Sequence, residues 1–226
     1  MAGEVWRGVW LLLAAVGAIF GVAGYLSARA ADSSSRERRN ERSGYAPLRH
    51  KWVLLGYGAF GAGSTGYMTF MVAYLKSDGQ PGWHVSFFWT AIGLASMVAP
   101  FIWPRLLWGT RKAFAFSTLV AINGLGAFLP LYIQSFPGPI FSALLFGSTF
   151  FAAVAATSEF VGRHVDSTQH TAAIGTFTFA FGIGQMLGPF CIGLSTDASG
   201  LLYSGFLIGA LLIVVAATLP FLHRAA

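Results

Sequence analysis

Between Trp52 and Leu75 the chain runs for 24 residues, WVLLGYGAFGAGSTGYMTFMVAYL, without a charged side chain. As a helix rising about 1.5 Å per residue, this run is long enough to cross a hydrocarbon core about 30 Å thick. In lipid the backbone must satisfy its own N–H and C=O groups, so a spanning segment of this kind has to be helical. Its glycines say which surroundings the helix needs. In a water-exposed helix a glycine costs about 1 kcal/mol relative to alanine, whereas between helices in lipid it lets two backbones approach closely. Gly58, Ala62 and Gly66 recur at four-residue spacing and form one small-residue face. The segment is therefore read as a membrane helix packed against other helices.

The same pattern repeats along the chain. Of the 226 residues, 55% are hydrophobic and 10% are charged, against roughly 25% charged in an average soluble domain. Cutting at charged or Pro/Gly-rich breaks gives seven spans: Gly8 to Ala28, Trp52 to Leu75, His84 to Trp103, Ala113 to Ile133, Ile140 to Ser158, Thr171 to Ser195 and Leu201 to Leu222. The whole stretch from Ala113 to Ser158 is uncharged, but Pro130 and the motif QSFPGP divide it into two helices joined by a hairpin. The expected fold is all-α: a polytopic membrane helix bundle of seven transmembrane helices, arranged as one plus six. Residues 1–28 are read as a single helix, 29–51 as a basic cytoplasmic linker and 52–226 as a six-helix bundle. The linker lacks the apolar content that would offset its ordering entropy.

Lysine and arginine set the orientation, because positive loops are retained on the cytoplasmic side. With the linker inside, that side carries Arg29, Arg36, Arg38, Arg39, Arg42, Arg49, Lys51, Arg105, Arg111, Lys112, Arg163 and Arg224, leaving only Arg7 and Lys76 outside. This places the N-terminus outside and the C-terminus in the cytoplasm of a multi-pass protein of the cell inner membrane. The net charge of +6 then follows from topology and does not argue for nucleic acid as a partner. The basic linker adds an attraction to anionic headgroups of the bilayer. Cys191, the single cysteine, excludes a disulfide within the chain. Ala28-Arg29-Ala30 resembles a signal-peptidase site, but the preceding apolar stretch exceeds the usual length and basic residues follow it.

Polar side chains far from the span ends are candidates for a solute path, because an unsatisfied polar group in lipid costs several kcal/mol. Those residues are Tyr57, Ser64, Thr65 and Tyr67 in the second span, Ser148 and Thr149 in the fifth, and Gln185 in the sixth, with Trp89 as a deep aromatic. Gln185 must face a partner helix, water or a solute. An interhelical hydrogen bond and a place on the path both satisfy it. Asn123 is read as helix packing. Gly184, Gly188 and Pro189 beside Gln185 are candidates for a bend used in gating or for a fixed packing groove. Glu159 stands four residues before Arg163, a spacing that permits a salt bridge near the cytoplasmic mouth, with gating or proton coupling as the alternative role. Trp6, Trp10, Trp52, Trp83, Trp103 and Trp108 lie near span ends as interfacial anchors. His164 and His170 flank Asp166 in a spacing that matches no metal motif. No nucleophile triad, phosphate loop or zinc signature is present, so neither an enzyme nor a cofactor is expected.

A helix, a basic linker and six helices, with GYGAFGAGSTGYMTFMVAYL after the linker and FAFGIGQMLGPFCIGLSTDASG before the last span, resemble the C-terminal half of a major facilitator superfamily (MFS) transporter of the YbfB-like branch. The resemblance implies a secondary transporter of two six-helix halves, each built of two inverted three-helix repeats, moving a small solute, with protons as a coupling partner, by alternating access. It further implies that the first span is helix six of twelve, that five helices precede Met1, and that the central cavity needs an N-terminal half or a second copy. The superfamily's acidic-basic glycine pattern, roughly D-R-x-G-R-[RK], corresponds here to RLLWGTRK. That stretch keeps Arg105, Gly109, Arg111 and Lys112 but has no aspartate, so these cations serve either a gate or cytoplasmic anchoring. A seven-helix receptor or sensor has the same topology, but the last span contains no lysine to hold retinal. The solute expected from a cavity of Tyr, Ser, Thr and Gln is neutral or weakly charged.

Overall fold

The computed structural model describes residues 5–32, 45–77, 79, 81–109, 114–133, 135 and 137–222. Two compact units divide the chain, Met1–Ser43 and Gly44–Ala226. The described residues of the first form one helix, α1 (Val5–Asp32). It extends past Ala28, so the beginning of the expected linker is helical. Linker residues 33–44 lie outside the described residues.

The second unit contains α2 (Lys51–Ser77), α3 (Gly82–Ile102), α4 (Pro104–Gly109), α5 (Phe114–Tyr132), α6 (Pro137–His164), α7 (His170–Ser199) and α8 (Leu202–Thr218). Short 3-10 turns at Pro47–His50, Ser167–Gln169 and Leu219–Leu222 complete it. No strand occurs among the described residues. By length and composition α3, α5, α6, α7 and α8 qualify as membrane-crossing helices. Glycine and tyrosine keep the mean hydropathy of α2 below that of the others, although its length of 27 residues is ample. The chain is thus a polytopic helical membrane protein. The 113–158 stretch divides as expected into α5 and α6. The six-residue helix α4 was not expected from the sequence. α6 continues past Ser158 to His164, and α7 runs as one helix through Pro189. Gly200, at φ 66°, ends α7 in the left-handed conformation and donates its N–H to the Thr196 carbonyl.

Packing is organised by which backbones come close. In lipid there is no hydrophobic force between helices, so close contact and small residues carry the association. α2 packs along α7 and α8, while α6 packs along α3 and α5, and α5 also meets α8. The small-residue face of α2 lies on α7: a Cβ added at Gly184 would run into the Gly58 carbonyl, one at Gly188 into the Ala62 carbonyl, and one at Gly66 into Ile192. A second glycine face of α2, at Gly56 and Gly63, meets Ala216 and Gly209 of α8 and Pro220 of the 3-10 turn that follows it. The core between these pairs is aromatic. Phe60, Phe116, Phe146, Phe150, Phe160 and Phe177 are buried around Tyr57 and Tyr67.

Polar groups join the helices at two levels. Tyr67 on α2 donates to Ser142 on α6, which donates in turn to the Gly126 carbonyl on α5 at 2.6 Å. Asn123 on α5 donates from Nδ2 to Thr149 Oγ1 at 3.0 Å and to the Phe146 carbonyl at 3.2 Å. Asn123 thus serves helix packing, as its sequence position suggested.

Candidate functional site

Near one end of the bundle α2, α6 and α7 enclose a pocket of about 60 Å³ lined by Tyr57, Val154, Thr157, Ser158, Val161, Ile174, Phe177 and Thr178. Tyr57 is six residues from the start of α2, so the pocket lies about 9 Å from that helix end. The Tyr57 ring is held by stacking on Phe181 at 4.7 Å and by an edge contact with Phe116 at 6.0 Å. Its hydroxyl has no hydrogen-bond partner among the described residues. Thr157 donates to the Ala153 carbonyl at 3.2 Å and keeps its oxygen as an acceptor. Ser158 and Thr178 bring two more hydroxyls to the same lining. The pocket therefore offers donors and acceptors on an aromatic wall, and no carboxylate, ammonium or guanidinium lines it.

A second groove of about 260 Å³ lies on the other side of α6, against α3 and α4, lined among others by Ser96, Trp103, Leu107, Trp108 and Phe151. Trp103 Nε1 donates to the Ser148 carbonyl at 2.8 Å and Ser96 to the Gly147 carbonyl at 3.0 Å, fixing α3 on α6. Between the two grooves α6 shows an exposed stripe of Phe151, Ala155, Ser158 and Gly162. That spacing of i, i+4, i+7 and i+11 keeps all four on one face.

The sequence-derived path residues fall into distinct settings. Tyr57 lines the pocket. Gln185 and Thr65 are half-buried, and neither side chain has a hydrogen-bond partner among the described residues. Trp89 is exposed, with an edge contact to Phe88. Ser64 is fully buried and donates to its own helix at the Phe60 carbonyl, 2.5 Å away. Tyr67 and Thr149 are buried in the interhelical bonds described above. Ser148 is half-buried and donates to the Leu145 carbonyl at 3.1 Å.

Of the gating candidates, Glu159 and Arg163 form an ion pair at 2.7 Å. Arg163 also donates to the carbonyls of Trp108 and Leu107, at 3.2 and 3.4 Å, at the end of α4. Arg105 is exposed on α4, and Arg111 and Lys112 lie outside the described residues. Gly184 and Gly188 are at the closest approach of α7 to α2, and Pro189 follows them half-buried. His164 and His170 each bond a backbone carbonyl, of Phe160 and Val165 respectively.

Thr157, Ser158 and Thr178 line the pocket without having been singled out in the sequence. The available signal was the polar pair Thr157-Ser158 at the end of an uncharged run. Cutting the span at the first charge, Glu159, assigned that pair to the helix end, whereas α6 continues to His164.

Apolar helices long enough to cross a membrane, packed by glycine contacts, define a polytopic helical membrane protein. The family model described as "Uncharacterised MFS-type transporter YbfB" matches residues 1–220, and the chain belongs to that family of the major facilitator superfamily. Family membership favours a transporter over the receptor reading. Neither a curated protein nor a solved structure matches the chain.

Proposed function

We propose that the unit formed by α2 to α8 is one half of a secondary transporter that moves a small neutral or weakly charged solute by alternating access. The other half is an N-terminal six-helix bundle or a second copy. The observation that carries this reading is the convergence of Tyr57, Thr157, Ser158 and Thr178 on one pocket beside the exposed stripe of α6. A lining of hydroxyls and aromatic faces favours ligands that accept and donate hydrogen bonds without needing a counter-charge. Gln185, Thr65 and Trp89 extend the path toward the other end of the bundle, and the half-buried Gln185 amide is free to meet water or solute. Coupling to protons is then assigned to groups outside this pocket, with Glu159, next in sequence to the pocket residue Ser158, as a candidate carboxylate.

The exchange of partners among the helices supports two inverted repeats. Taking α2, α3 and α5 as one triplet and α6, α7 and α8 as the next, the first helix of each packs on the second and third of the other. Rocking of such interlocked triplets against the facing half gives alternating access. The Arg163 contacts that join α6 to α4 stand where that movement would open or close the cytoplasmic mouth. The lengths of the uncharged runs support seven spans, and the distribution of lysine and arginine supports an N-terminus outside and a C-terminus in the cytoplasm of an inner membrane.

A thermal-shift screen of uncharged and zwitterionic small solutes on the purified protein tests this assignment. A solute of the right class raises the midpoint of wild type, and Tyr57→Phe and Thr178→Val lose most of the shift while melting normally alone. Equal shifts in wild type and both variants would remove the pocket from the path.

A further inference from the structure

Two openings flank one helix. The Tyr57 pocket is shared by α6 with α2 and α7, the Trp103 groove by α6 with α3 and α4, and the exposed stripe of α6 joins them. Phe151 and Ala155 line the groove, and Ser158, three residues or about 4.5 Å further along the axis, lines the pocket. Sites for small organic ligands enclose about 300–1,000 Å³. At about 60 and 260 Å³ neither opening reaches that range alone, and the two together do.

Their chemistry is complementary. In the pocket the hydroxyls of Tyr57, Ser158 and Thr178 have no hydrogen-bond partner among the described residues, which leaves them for a ligand. In the groove Ser96 and Trp103 spend their donors on the Gly147 and Ser148 carbonyls, so apart from the Trp108 N–H the groove presents ring and alkyl surface, from Trp103, Leu107, Trp108 and Phe151. Neither lining includes a charged side chain, and Glu159 and Arg163 beyond Ser158 pair with each other at 2.7 Å. A ligand that reaches both openings therefore meets hydrogen-bonding groups at one end, aromatic and alkyl surface at the other, and no counter-charge at either. Acyl chains alone do not suit this surface, because they leave the hydroxyls unmet, and an unsatisfied polar group in lipid costs several kcal/mol.

We propose that the solute is an uncharged amphipathic molecule about two rings long, which lies across α6 at Ala155 with its hydrogen-bonding end at Tyr57 and Thr178 and its apolar body against Trp108 and Phe151. The inference rests on the reading of the Tyr57 pocket as part of the solute path, and it narrows the solute class. Ala155 is small and exposed, so the ridge between the two openings is low enough for one molecule to cross. The span lies within the width of a single helix, about 10–12 Å. A compact polar solute would leave the groove empty, and a purely apolar one would leave the hydroxyls unmet.

Equilibrium dialysis of the purified full chain in phosphatidylcholine nanodiscs, corrected with empty nanodiscs, tests it with biphenyl-4-ol, phenol and biphenyl as probes. Biphenyl-4-ol should bind saturably, biphenyl about five-fold more weakly for want of the hydroxyl, and phenol about ten-fold more weakly for want of the second ring. Tyr57→Phe should weaken biphenyl-4-ol about five-fold, the equivalent of one hydrogen bond of about 1 kcal/mol, and leave biphenyl unchanged. Trp108→Ala, at a side chain 70% exposed, should weaken biphenyl-4-ol about ten-fold and leave phenol unchanged. Both variants should keep the wild-type melting midpoint; should Tyr57→Phe fail to fold, Thr178→Val with the same probes takes its place. Phenol bound as tightly as biphenyl-4-ol, with no effect of Trp108→Ala, would overturn the proposal and leave the Tyr57 pocket standing. Binding that depends on Trp108 but not on Tyr57 or Thr178 would overturn the proposal together with that pocket's place on the path. Absence of saturable binding above empty nanodiscs for all three probes would overturn the proposal outright.

Discussion

Arg163 Nε stands 2.7 Å from Glu159 Oε1, and the same guanidinium reaches over to the carbonyls of Trp108 and Leu107. One cation thus pairs along its own helix and also caps the last turn of another, where the helix dipole favours positive charge. Both side chains are more than a third exposed, so the ion pair alone contributes at most about 1 kcal/mol. Glu159→Gln should therefore lower the melting midpoint slightly. Arg163→Ala should lower it further, because α4 also loses its cap. Equal midpoints for the two variants would mean that the α4 contacts contribute nothing.

Gly184 and Gly188 allow α7 to touch the backbone of α2, and a methyl group at either would overlap the Gly58 or Ala62 carbonyl. Gly188→Ala should destabilise the protein by about 1–3 kcal/mol, the range for forcing extra atoms into a packed contact. Gly182→Ala, with open space around the added atom, should be neutral or slightly stabilising. Unfolding of both variants in mixed micelles measures the difference.

The chain of hydroxyls from Tyr67 through Ser142 to Gly126 is asymmetric in its consequences. Tyr67→Phe leaves Ser142 its bond to the Gly126 carbonyl, and should cost about 1 kcal/mol or less. Ser142→Ala leaves the buried Tyr67 hydroxyl unpaired and should cost about 1–3 kcal/mol. The reverse order in unfolding measurements would contradict the direction assigned to this chain.

At the turn between α6 and α7 the Asp166 carboxylate accepts from the Thr168 hydroxyl at 2.7 Å and from the Thr168 N–H at 2.9 Å. Both bonds favour the charged form, the hydroxyl most, and hold the Asp166 carboxyl below its ordinary value. Because the folded value lies below the unfolded one, the stabilisation is present above the ordinary carboxylate range and fades as pH falls through the depressed value. Thr168→Val should raise the titration midpoint of Asp166 toward the ordinary value, as read by NMR of the side-chain carbon.

How far the sequence carried the structure depended on the kind of signal. Length and the absence of charge located α2, α3, α5, α7 and α8 to within a few residues, because the bilayer imposes both, whereas α6 runs six residues beyond the cut made at Glu159. The spacing of Gly58, Ala62 and Gly66 announced a helix contact, and α7 meets it. The helix α4 was hidden: PRLLWG is short, sits beside charged residues and has no span-length pattern. Depth counting brought out Tyr57, but could not separate hydroxyls that bond neighbouring helices, such as those of Tyr67 and Thr149, from those that line a pocket. Which face a side chain occupies is decided by the packing of α2 on α7 and α8, and one helix's periodicity does not contain it.

The most direct test of the transport pathway is cysteine accessibility in native membranes, on a Cys191→Ala background that removes the exposed native thiol. Ser158→Cys and Thr178→Cys should react with a membrane-impermeant maleimide from the cytoplasmic side and be protected by a transported solute, while Ile213→Cys, in the fully buried core, should stay unlabelled. Ser158→Cys and Thr178→Cys as inert as Ile213→Cys would contradict a water-filled path through the Tyr57 pocket.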